Sequence, residues 1–167
     1  MPLPDLSNVS DDAKALAEFM QEVLEKTESA FLSYNLPLPT RRYWTFGQPP
    51  VDCEQLVVSF IQMYLGSPGD EVTQPRRCRD PRSAVINVSV SRQVPVVGQS
   101  GRPPADDDIT LGSLASAYDA WALMESAASL DAWEQTGFGL GIIATVEADA
   151  PEGGYQTVTM TLTAAIP

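Results

Sequence analysis

The sequence of 167 residues contains no histidine. That single absence removes Ser-His-Asp and Cys-His nucleophilic schemes, histidine zinc sites and imidazole acid–base chemistry. Cysteine is scarce: Cys53 and Cys78 are the only two, too few for a structural zinc site without histidine. Long apolar runs are missing, and the longest fall far short of the roughly 20 residues a helical membrane span needs. The opening MPLPDLSNVSDD lacks the basic region and apolar core of a cleaved secretory signal, so none is expected. Basic residues are few, 10 against 22 acids, for a net charge of −12. Free duplex DNA binding needs a net basic surface and is disfavoured.

What is present fits one globular domain over residues 1–167, since hydrophobic residues reach 44%. Charge is strongly segregated along it. Residues 1–40 carry −5, residues 41–102 carry +3 with eight arginines, and residues 103–167 carry −10 with no basic residue. The plain reading is an acidic protein kept soluble by its charge. The sharper one is self-complementarity, a basic edge of one copy meeting an acidic edge of the next in a head-to-tail contact that closes into a ring if the rotation permits.

Residues 1–10, with Pro2 and Pro4, read as irregular. A helix is expected over about 11–32, with Leu16, Phe19, Met20, Val23, Ala30 and Phe31 near one face and the run Asn35-Leu36-Pro37-Leu38-Pro39 ending it. A strand over about 41–46 alternates Arg42, Trp44 and Phe46 with Arg41, Tyr43 and Thr45. A second, about 54–64, is apolar on both faces, with Leu56, Val58 and Phe60 opposite Val57, Ile61 and Met63, as in a central or covered strand. A third, about 83–94, turns Ala84, Ile86, Val88, Val90 and Val94 inward. A Pro-, Gly- and Asp-rich loop over 96–108 follows, then a helix over about 110–133 whose Leu111, Leu114, Tyr118, Trp121, Met124 and Ala128 form one stripe. Its alanines suit close packing on a sheet. Strands over about 139–148 and 154–164 flank a hairpin loop, the last with Val158, Met160, Leu162 and Ala164 inward and a threonine face outward. The order αβββαββ predicts an α+β domain: a mixed, mostly antiparallel sheet of about five strands with two amphipathic helices on one face.

No motif carries catalysis. Asp106, Asp107 and Asp108 lack calcium-loop spacing and read as a favourable acidic helix start at the end of the 96–108 loop. Gly137-Phe138-Gly139-Leu140-Gly141 precedes a strand, so it lacks the helix N-terminus of a phosphate cradle. Cys53 and Cys78 fall at opposite ends of an expected hairpin, which counts against a disulfide unless the 66–82 loop folds back. The densest basic cluster is Arg76, Arg77, Arg79 and Arg82, read as a solvated loop tip, a contact to an acidic neighbour or, well behind these, a contact to nucleic acid.

Several segments carry a resemblance: the N-terminal helix, the strand Arg41-Arg42-Tyr43-Trp44-Thr45-Phe46, the run Val51-Asp52-Cys53-Glu54-Gln55-Leu56-Val57-Val58, Cys78, the run Val85 to Pro95, and the closing helix and hairpin. Over roughly 10–165 this resembles the tail terminator proteins of long-tailed bacteriophages. The resemblance implies a virion structural protein at the neck. It forms a homo-oligomeric ring, a hexamer, that caps the head-proximal end of the tail tube and ends its polymerisation. The ring then meets the head–tail connector, and DNA passes through its lumen without specific binding. Neither catalysis nor a cofactor is implied. Combined with the charge pattern, this makes Arg41, Arg42, Arg76, Arg77, Arg79 and Arg82 candidate contacts to a neighbouring subunit or connector. It sends the 96–108 loop, with Asp106, Asp107 and Asp108, toward the lumen or tube. Competing readings are another neck component (a head-completion or connector protein), an acidic module that captures a basic partner, and a carboxylate enzyme such as a glycosidase.

Overall fold

In the computed structural model, residues 11–70, 82–97, 101–130 and 142–166 are described. They form α1 (Asp11–Ser33), β1 (Arg41–Phe46), β2 (Gln55–Leu65), β3 (Arg82–Gln93), α2 (Asp106–Ala128), β4 (Ile143–Ala148) and β5 (Tyr155–Ile166). The strands build one sheet in the order β1-β2-β3-β5-β4. β1 runs parallel to β2 and every other pair is antiparallel, so the expected mixed, mostly antiparallel α+β architecture is the one formed.

The first helix follows its sequence closely. Leu16, Phe19, Met20, Val23, Leu24 and Phe31 recur at helical spacing and are all buried. At its C-terminus Asn35 takes the left-handed conformation (φ 53°). The amide of Leu36 then reaches the carbonyl of Phe31 (2.9 Å) and that of Asn35 the carbonyl of Leu32 (3.1 Å). This satisfies carbonyls the helix would leave open and turns the chain toward β1.

Eight residues, 47–54, carry the chain back between the parallel strands β1 and β2, fewer than such connections usually need. Gly47 (φ 77°) starts the return, its amide bonded to the Phe60 carbonyl at 2.9 Å. Buried Gln55 fastens it, donating to the Pro50 carbonyl at 3.0 Å and accepting from the Tyr43 hydroxyl at 3.3 Å. The β4–β5 hairpin closes through Gly153 and Gly154, both with positive φ between the paired Glu152 and Tyr155, as a tight two-residue turn requires.

Both helices cover one sheet face, where Leu56, Val58, Ala84, Ile86, Val88, Val90, Val158, Met160, Leu162 and Ala164 form the core. The inward residues expected on β5 are all buried there, as are those of β3 from Ala84 to Val90; Val94 lies beyond the strand. β2 departs from simple alternation. A bulge between Phe60 and Gln62 inserts Ile61, so Met63 lies opposite Ala84 on the helix side instead of sharing Val57's face. On the other face, hydroxyls pair across β3 and β5: Ser89 with Thr159 (3.1 Å), Ser91 with Thr157 (3.0 Å), and Thr161 with the Asn87 side chain (3.0 Å).

The second helix begins earlier than the 110–133 span expected. Asp106, Asp107 and Asp108 form its first turn, so they do not belong to a projecting loop. Ala105, the preceding residue, makes no side-chain cap. Three carboxylates near the positive end of the helix dipole supply the favourable interaction instead. β4 starts at Ile143; the expected strand residues 139–141 lie outside the described residues.

Candidate assembly surface

The stripe expected to seat α2 on the sheet points away from it. Leu111 is 64% exposed and Trp121 60%; Leu114, Tyr118 and Met124 are exposed as well. The buried residues of α2 are Ser116, Asp119, Ala122, Leu123, Ser126 and Ala127. Small side chains on this inner face let α2 lie close to α1, where the Thr27 and Ser126 hydroxyls meet at 3.3 Å. Gly112 extends the inner face: a Cβ there would stand 3.9 Å from Val94 and Pro95, in ordinary contact.

The rotation of the helix is set by an ion pair. Arg92, at the end of β3, donates through Nε to Asp119 Oδ2 (2.8 Å) and through Nη2 to Asp119 Oδ1 (2.9 Å). Nη2 also donates to the Pro37 carbonyl at 2.7 Å, and the guanidinium lies 6.0 Å from the Phe31 ring centroid. One side chain thus ties β3, α2 and the exit of α1 together. Burial works against the guanidinium charge, but the hydrogen bonds and charge of Asp119 outweigh it and raise the Arg92 pKa above its ordinary value. The Asp119 side chain is only 3% exposed. Leaving either partner buried alone is costly, so the pair locks Asp119 inward. Tyr118 and Trp121 then have no way to face the core. Arg92 has a sequence signal: it continues the inward positions 84, 86, 88 and 90 of β3, and an arginine there requires a carboxylate partner.

Along the outward face, Asp107, Leu111, Leu114, Tyr118, Trp121 and Glu125 follow alternating steps of four and three residues, one continuous line on a helix. The apolar centre therefore has an acid at each end. A second apolar surface lies on the same sheet face, toward its β1–β2 side. Phe46 on β1 is exposed and its ring sits 5.0 Å from that of Phe60. Met63 and Leu65 follow on the same face beyond the bulge, exposed as Ile61 is. Arg82, also exposed, lies opposite Leu65 in the β2–β3 register.

The candidate arginines do not form one described cluster. Arg41 and Arg42 are successive strand residues and point to opposite faces. Arg41 bonds Asp52 at 2.9 Å on the hydroxyl-rich side, where its guanidinium also lies 5.0 Å from the Tyr43 ring centroid. Asp52 is held below the ordinary carboxylate range, first by a hydrogen bond from the Cys53 thiol and then by the charge and hydrogen bond of Arg41, against a desolvation effect. Arg42 pairs with Glu28 of α1 at 3.3 Å on the helix side. Arg82 is at the opposite end of the sheet, nine register positions from Arg41 along β2 or about 30 Å. Arg76, Arg77, Arg79 and Cys78 lie outside the described residues; Cys53 carries a free thiol. Among the described residues, no group of three or more Cys, Asp or Glu could hold a metal, Asp106 to Asp108 included, and no helix is long and apolar enough to cross a membrane.

The chain matches no protein-family model, and no curated protein matches it closely enough to count as a relative.

Proposed function

We propose that this chain is a structural assembly protein of the phage tail-terminator type. In this reading its copies form a ring, a hexamer, that caps the head-proximal end of the tail tube. The ring ends tube polymerisation and then meets the head–tail connector, with DNA passing through the lumen. Its place is the virion neck, and it needs no catalytic group.

One observation carries the assembly part: the exposed line Leu111, Leu114, Tyr118 and Trp121 on a helix whose rotation is fixed by a buried ion pair. Tyr and Trp in a contiguous apolar surface are typical anchors of protein–protein contacts. The terminator identity rests on the sequence resemblance, which the α+β architecture accommodates.

The test is native mass spectrometry of the purified protein, alone and with tail tube protein, alongside a tube-growth assay. The expected result is a closed oligomer that halts tube elongation when added. A monomer under every condition, with tubes growing unchanged, overturns the reading. An oligomer that binds portal and leaves tubes growing assigns the chain to the head side of the neck.

A further inference from the structure

We propose that the Arg92–Asp119 pair is kept to choose which face of α2 is displayed, and that without it α2 turns its Leu111 to Trp121 line onto the sheet. That the displayed line serves assembly rests on the reading above; the choice of face does not.

Two faces of α2 compete for the inside. The outward line offers Leu111, Leu114, Tyr118 and Trp121, whereas the inward face has Leu123 as its one large apolar side chain. Apolar area alone would seat the outward line on the sheet. Packed helices settle about 8–10 Å apart according to the side chains between them, so larger residues would lift α2 and not be shut out.

Arg92 reverses that preference. It stands near the end of β3, and its guanidinium is anchored apart from α2 by the Pro37 carbonyl (2.7 Å) and the Phe31 ring. Nε and Nη2 are offered to whatever α2 places above them. Between Asp108 and Glu125, Asp119 is the one charged residue of α2. A single rotation of the helix about its axis therefore brings a carboxylate to the guanidinium, and it is the rotation that leaves Tyr118 and Trp121 exposed. Any other leaves Arg92, whose side chain is 14% exposed, without its partner.

A buried ion pair is a weak way to gain stability, since apolar residues of the same volume serve as well or better. It is an effective way to forbid an arrangement, because the wrong one strands a buried charge. Arg92 and Asp119 are in this sense positioning residues: they forbid the rotation that would hide the stripe.

A disulfide trap tests this without reference to assembly. The Thr27 and Ser126 hydroxyls, both buried, meet at 3.3 Å across the α1–α2 contact, which holds only while α2 keeps this rotation. In a parent chain carrying Cys53→Ser and Cys78→Ser, the changes Thr27→Cys and Ser126→Cys should close an intramolecular bridge under mild oxidation. Adding Arg92→Met and Asp119→Leu should slow closure by about tenfold or more, because position 126 has turned away from α1. The reduced double apolar variant should keep the parent's circular dichroism spectrum and a folding equilibrium constant within about tenfold of it. Adding Arg92→Lys instead, which keeps a cation beside Asp119, should leave closure as fast as in the parent. The proposal is overturned if the double apolar variant closes the bridge as fast as the parent, since α2 then keeps its rotation without the charges. It is equally overturned if that variant unfolds, if Arg92→Lys is as slow as the apolar pair, or if the parent never closes and Thr27 does not face Ser126. A trap that behaves as expected in a protein that forms no ring sinks the assembly reading alone; a ring whose trap ignores the charges sinks only the face selection.

Discussion

The two helices have the same length, 23 residues each, cover the same sheet face and pack against one another, yet they obey opposite rules. α1 buries its largest side chains and leaves Glu18 and Glu25 to water. α2 buries serines, alanines, one leucine and an aspartate, and leaves Leu111, Leu114, Tyr118 and Trp121 outside. The difference separates two uses of apolar surface. On α1 it stabilises the monomer, because it leaves water when the chain folds. On α2 it contributes little to folding and is available to association. A helix with small residues inside and large ones outside has been placed by something other than hydrophobic area, and here that is the Arg92–Asp119 pair.

Three substitutions sharpen or break the contrast. The largest effect is expected for Phe31→Ala in α1, where a fully buried ring beneath the Arg92 guanidinium is lost. Denaturant unfolding should register a loss of about 4 kcal/mol. A loss below 1 kcal/mol would mean that α1 is not the helix that holds the core.

Next is Asp119→Ala, which leaves Arg92 largely buried without its carboxylate. A loss of about 3 kcal/mol is expected, with most of it regained in the double variant Arg92→Met, Asp119→Leu, since an apolar pair of similar volume removes the stranded charge. If the double variant is no better than the single one, the ion pair is not what sets the rotation of α2.

The smallest is Trp121→Ala. Although it deletes the largest side chain on α2, unfolding of the monomer should shift by less than about 0.5 kcal/mol, as at an ordinary surface site. A large loss would place Trp121 in the monomer's core and end the distinction between the helices.

Much of this molecule is written in short-range patterns. The α1 face, the alternation of β3 up to Val90 and the four inward residues of β5 follow from periodicity, because burial on one side leaves a repeat of 3.6 or 2. Periodicity loses its grip where a local event shifts the phase. The Ile61 bulge moves Met63 to the helix side, and one inserted residue leaves no compositional mark. It fails for a different reason on α2, which offers two faces that could go inward. Hydrophobicity favours the Leu111 to Trp121 line, and close packing with charge pairing favours the other.

The charge pattern divides in the same way. Its segregation by segment is a property of the chain, but neighbouring arginines need not act together. Arg41 and Arg42 part to opposite faces because a strand alternates, and each meets a carboxylate of its own chain. Arg92, which has no basic neighbour in sequence, is the arginine that organises the fold.

By itself, the sequence determined the elements, the mixed sheet class and the exclusion of histidine chemistry, since these depend on composition and on repeats a few residues long. Which face of α2 reaches water was decided only in three dimensions. Asp119 meets Arg92 across 27 residues of chain, and no local pattern encodes a partner that far away. Once that pair forms, turning α2 to bury Trp121 would strand the Arg92 and Asp119 charges, and the apolar stripe is left exposed.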